Sequence, residues 1–194
     1  MHATTSPFPL HAPPDALPPT TAVRGRDLSL ALLGLLALGG AAALGSPAGP
    51  AAVRLAPSVL LVDLAALALT APALIAVHQF LRLSAKPEDL AAGLGRALVH
   101  GGRVAAGLSV IVLFFSATTD LAIPMLLASL VGVGVFTTAT ACVELSRAER
   151  KGGPVVGYFP LLLLGWVALS WIIALRVGVD VGAWVIGFEG GVWS

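Results

Sequence analysis

Hydrophobic and polar positions segregate along this chain into long blocks. Five apolar stretches, near residues 28–45, 57–81, 98–117, 120–143 and 157–176, are joined by short polar connections. A helix rises about 1.5 Å per residue, so roughly 20 residues cover the ~30 Å of hydrocarbon in a bilayer. Each stretch is close to that length, and the pattern predicts an all-α, polytopic transmembrane helical bundle of about five spans. It divides the chain into an N-terminal tail over 1–27, the bundle over 28–176 and a short C-terminal tail over 177–194.

Composition reinforces this reading: 57% of the 194 residues are hydrophobic and 11% charged, and mean hydropathy is +0.95. Those values lie far from an ordinary soluble domain. A net charge of +1 gives no argument for nucleic acid as a partner. The lone Cys142 excludes an intramolecular disulfide and a cysteine-rich metal site.

The distribution of cations sets the expected orientation, because Lys and Arg in short loops are retained on the cytoplasmic side. An N-terminus inside places Arg24, Arg26, Arg82, Lys86, Arg96, Arg147, Arg150 and Lys151 inside, and Arg54 and Arg176 outside. Five crossings then send the C-terminus out. Abundant Ala, Leu, Gly and Arg against two Lys point to a GC-rich bacterial host, hence its inner membrane.

The first 27 residues carry Pro7, Pro9, Pro13, Pro14, Pro18 and Pro19 and few large apolar groups, so a disordered or polyproline-like tail is expected. The length of that tail favours a retained signal anchor for the first apolar run over a cleaved signal peptide. At the other end, Trp184 and Trp193 suit the headgroup layer, and the Gly-broken run after Arg176 is too short to cross again.

Small residues recur four apart in the first and fourth spans: Gly39 with Ala43, Ala128 with Gly132, and Gly134 with Thr138. Such faces let helix backbones approach closely in lipid, either within the chain or against a second copy or another subunit.

The segment 86–102 is the most ordered polar sequence. Pro87 suits a first helical position, and Glu88 with Asp89 suits the positive end of a helix dipole. Leu90, Leu94 and Leu98 share one face, while Asp89, Arg96, His100 and Arg103 share another. This predicts an amphipathic helix on the membrane surface, ending at Gly101–Gly102 before the third span. A continuous helix would instead carry Arg103 into the bilayer, where a lone cation costs at least about 2.5 kcal/mol. Lys86, Arg96, His100 and Arg103 form the candidate lipid- or partner-binding stripe.

Asp63, His78 and Asp120 are the candidate intramembrane polar residues. Asp63 falls about 9 Å below the outer edge of the second span, within reach of water or Arg54, and His78 about 22 Å further along that helix. Pro72, between them, is expected to kink the helix and free a carbonyl. Asp120 is expected to cap the fourth span, and Glu144 to pair with Arg147 or meet His78. The four histidines show no metal-ligand spacing. No phosphate loop, nucleophile elbow or paired intramembrane carboxylates occur, so no catalytic residue, cofactor or metal is expected.

A cytoplasmic N-terminal tail, five spans and a short exterior C-terminus resemble the Yip1-type membrane proteins. The run Ala76-Val77-His78-Gln79-Phe80-Leu81 closing the second span is similar to that of bacterial members, and Gly157-Tyr158 resembles a second element. The aspartate-leucine-tyrosine-glycine-proline motif of eukaryotic members is absent, since Asp27-Leu28 is followed by Ser29-Leu30. The resemblance implies a non-enzymatic protein acting through partners in trafficking or membrane organisation. The sequence therefore supports an accessory, scaffold or assembly subunit of a membrane complex first. Its alternative is a small transporter or pore component using Asp63 and the Pro72 kink.

Overall fold

The computed structural model describes residues 23–44 and 53–186. They form five helices: α1 (Gly25–Leu44), α2 (Leu55–Phe80), α3 (Pro87–Thr118), α4 (Ala122–Gly152) and α5 (Phe159–Ile186). All five are long and apolar enough to cross a membrane, which makes this a multi-pass helical membrane protein. The proline-rich stretch to Pro19, and Trp193, lie outside the described residues.

Helix α1 lies between α2 and α3, α4 packs on the other side of α3, and α5 packs on α2. Burial is greatest along α1 and least along α5. The large apolar side chains left uncovered, among them Leu33, Leu69, Phe114, Leu127, Leu161 and Ile172, have the character a hydrocarbon solvent requires.

The α1–α3 seam is built from residues without side chains. A Cβ on Gly34 would run into the Gly102 carbonyl, and one on Gly102 would lie 2.6 Å from Ala31 Cβ. The two backbones are therefore in direct contact, an approach that small residues permit and that dispersion rewards in lipid. Gly39 does the same for α2, where an added Cβ would come within 2.8 Å of Ala56 Cα. Around this seam Leu35, Leu38, Val59, Val112, Leu126 and Val133 make one buried cluster. A second joins Leu74, Leu90, Leu94, Leu145, Phe159, Leu163 and Trp166 at the end where α2 turns into α3 and α4 into α5. Arg82, Lys86, Arg150 and Lys151 gather at that end, called here the basic end.

Five expectations change. No break falls at Gly101–Gly102: α3 is one helix of 32 residues, roughly 48 Å long. The two glycines are buried where Thr137 and Ala31 press closest, so they are contact points rather than a stop. Leu90, Leu94 and Leu98, with Ala97 between them, face the bundle core, not a separate membrane surface. Arg103 is also not a lone cation, because its Nη2 donates to Asp27 Oδ1 at 3.2 Å.

Helix α5 continues through Val177 to Ile186, past the boundary expected at Arg176. Trp184 Cα belongs to that helix, and its ring takes the Arg54 guanidinium 5.2 Å above its centroid, a cation–π contact that links the far ends of α2 and α5. Asp120 does not cap α4: the helix starts after Leu121 without a side-chain cap, and the Thr119 hydroxyl accepts the Leu121 N–H at 3.3 Å instead. Of the small-residue faces, Gly39 with Ala43 packs in the core and a Cβ added at Gly134 would lie 3.0 Å from the Trp171 ring, with Thr138 bonded back to Gly134 O. Gly132 has open space around it and Ala128 is exposed.

Candidate functional site

The most heavily bonded polar group in the bundle lies at the basic end, and it begins with how α2 stops. Arg82 N–H donates to Gln79 O at 3.0 Å and Leu83 N–H to His78 O at 3.2 Å, while Arg82 has φ 52°. This is the 6→1 and 5→2 pair of a Schellman cap, with a left-handed residue just past the helix. Leu83, the residue after it, is buried in the apolar cluster at this end. Position 82 favours glycine, and an L-residue there costs on the order of 1 kcal/mol.

The cap turns the backbone so that Ser84 and Ala85 point their N–H groups into the bundle. Both reach Glu149 of α4: Ser84 N–H donates to Oε1 at 2.8 Å and Ala85 N–H to Oε2 at 3.0 Å. His78 Nε2 lies 2.7 Å from the same Oε2, and both side chains are fully buried. One turn on, Gly152 has no Cβ because the Ser84 carbonyl occupies that space. Phe159, opening α5, sets its ring edge-on to His78 at 6.2 Å between centroids, and Tyr158 Oη donates to Leu81 O at 3.3 Å.

Donor counting assigns the proton. The Gln79 amide nitrogen lies 3.3 Å from Ala85 O and 3.3 Å from His78 Nδ1. A carboxylate only accepts, so His78 Nε2 is the donor toward Glu149 Oε2. The Glu149 carboxylate accepts three hydrogen bonds. Such bonds to an ionised acceptor are worth about 1.5–3 kcal/mol each, and a buried carboxylate without them is untenable. The arrangement ties α4 to the end of α2 and to the connection that leads into α3, with Phe159 of α5 set against the imidazole.

A second ionic group lies above it. Glu144 accepts from Arg96 Nε at 2.6 Å and from Arg147 Nη1 at 2.7 Å, joining α3 to α4. Together these contacts dissolve the expected basic stripe: Arg96 is held by Glu144, Arg103 by Asp27, and His100 Nδ1 donates to Arg96 O at 2.8 Å. Lys86 stays exposed at the start of α3.

Asp63 stands apart. It is half-buried on α2, and among the described residues no hydrogen bond or ion pair reaches it, since Arg54 is engaged by Trp184. Near the middle of α2, Ser170 Oγ lies 3.3 Å from Thr70 Oγ1, whose hydroxyl donates to Ala66 O at 2.8 Å. Helix α2 runs through Pro72, which leaves Ala68 O without its usual amide donor. Among the described residues no three His, Cys, Asp or Glu side chains come together to hold a metal.

Of the two partners the sequence offered Glu144, Arg147 is the one the structure shows and His78 is not. Glu144 points to α3, and Glu149 is the residue that meets His78. A signal for this exists in the chain: Glu149 continues the four-residue repeat of buried Ala141 and Leu145 on the inward face of α4. An acid placed on an apolar stripe has to find a buried donor.

The architecture and its buried acid–histidine tie define the class: a five-helix integral membrane bundle fastened at one end by a polar lock. Compared with known proteins, the chain matches no family model, no curated protein and no solved structure.

Proposed function

We propose that this chain is a non-enzymatic accessory, scaffold or assembly subunit of a membrane complex, inserted in a bacterial inner membrane with its N-terminus in the cytoplasm. The observation that carries this reading is the division of labour on α4. Its inward acids, Glu144 and Glu149, are consumed in holding helices together. Its outward face offers Ala128 and Gly132 four residues apart, with no other element among the described residues within 4 Å of a Cβ added at Gly132. In lipid, such an uncovered small-residue face suits a helix from another subunit or a second copy. The implied resemblance to Yip1-type proteins points the same way.

Gentle extraction of the tagged protein from its native host, followed by mass spectrometry, tests it. A stoichiometric membrane partner that is lost from Gly132→Leu and kept by Asp63→Asn is the expected result. Asp63, unpaired and half-buried, favours the second reading, a small transporter or pore component. That reading requires Asp63→Asn to abolish activity with the fold intact and no partner to be recovered.

A further inference from the structure

We propose that the two connections at the basic end form a docking site for the headgroup of an anionic phospholipid, with Arg82, Lys86, Arg150 and Lys151 supplying its phosphate-binding charge. The two pairs are brought to one rim by the lock beneath them: the Ser84 and Ala85 amides bond Glu149, and Gly152 and Gly153 pack on Ser84. All four are exposed. Among the described residues none donates a side-chain hydrogen bond or joins an ion pair, unlike Arg96, Arg103 and Arg147 nearby. Even against Glu88, Asp89 and the buried Glu149, cations are in excess.

The surroundings favour a lipid over a soluble acid. Phe80 is 85% exposed beside Arg82, and Val155, Val156 and Tyr158 are exposed beside Lys151. Aromatic and aliphatic groups next to cations are the signature of the boundary between headgroups and acyl chains. A phosphate on the cations would leave its acyl chains against Phe80.

The backbone supplies a separate argument. Arg82 occupies the left-handed cap position that glycine fills with less strain. Strain retained at an exposed site suggests that the side chain is needed there. Stability and lipid binding should therefore respond to Arg82→Gly in opposite directions.

Native mass spectrometry of the purified full-length protein, offered phosphatidylglycerol and phosphatidylcholine in equal amounts, tests the site. Phosphatidylglycerol is expected to be retained about tenfold more strongly, and each of Lys86→Gln, Arg150→Gln and Lys151→Gln to weaken it about fivefold. Arg147→Gln, whose guanidinium is on Glu144, should leave retention unchanged. Arg82→Gly should weaken retention about fivefold while raising the thermal midpoint by about 2–4 °C. Equal retention of the two lipids would overturn the proposal, as would a folded quadruple Gln variant that holds phosphatidylglycerol like the parent. Displacement of the lipid by millimolar inorganic phosphate would also overturn it, marking a site for the free anion.

Discussion

The α1–α3 seam and the basic end hold helices together by opposite means. At the seam Gly34 and Gly102 remove side chains so that backbones touch. At the basic end a full-length carboxylate, Glu149, reaches across to His78 and to two amides of the α2–α3 turn. The difference follows from the solvent. Lipid tails are as apolar as leucine, so helices gain from close fit rather than from leaving water. Where the chain reverses, backbone amides have lost their helical partners and need acceptors. Shape therefore sets how closely the spans approach, and hydrogen bonding sets how their ends are registered.

Removing the acceptor should do the most damage. Glu149→Ala leaves the His78, Ser84 and Ala85 N–H groups buried without partners, an expected loss of about 3–5 kcal/mol. Unfolding in mixed micelles by added dodecyl sulfate, followed by circular dichroism, reads it. A loss below about 1 kcal/mol would mean that water reaches the lock. His78→Ala should cost less, because the two amides still hold the carboxylate. The cycle of single and double variants should show a coupling of about 1.5–3 kcal/mol.

Gly102→Leu attacks the other region. Its side chain would have to displace the α1 backbone at Ala31, and overpacking of this type costs about 1–3 kcal/mol or more. If the seam holds by fit alone, Gly102→Ala should already be harmful, since even a Cβ overlaps Ala31. Crosslinking between cysteines placed on α1 and α3 checks that the spacing, and not the whole bundle, has changed.

The two regions also differ in how much of them can be read from sequence. Five spans follow from length and hydropathy, because a bilayer imposes one thickness on every crossing. Pro87 with Glu88 and Asp89 at the start of α3 was legible for the same local reason: cap chemistry depends on neighbouring residues. Which glycines touch was not. Gly34 and Gly102 lie 68 positions apart, and nothing local separates Gly102 from Gly132, which faces open space. The break expected at Gly101–Gly102 shows the trap, since flexibility in the abstract and close approach in the fold share one residue type. The lock was half legible: His78 stood out as polar in a span, but its partner depended on which face of α4 turned inward.

Gly132→Leu gives the smallest effect on stability and the sharpest contrast with Gly102→Leu. Both replace a glycine within an apolar span by the same side chain. One meets a backbone, and the other meets nothing among the described residues. Thermal stability of purified Gly132→Leu in detergent should lie within about 0.5 kcal/mol of the parent, and leucine's better helix propensity works in its favour. Any phenotype in the native membrane would then come from association, which in lipid depends on how closely helices can approach. A loss of stability like that of Gly102→Leu would show that α4 is covered from within the chain at this point. The face argued to receive a partner would then be part of the bundle's own packing.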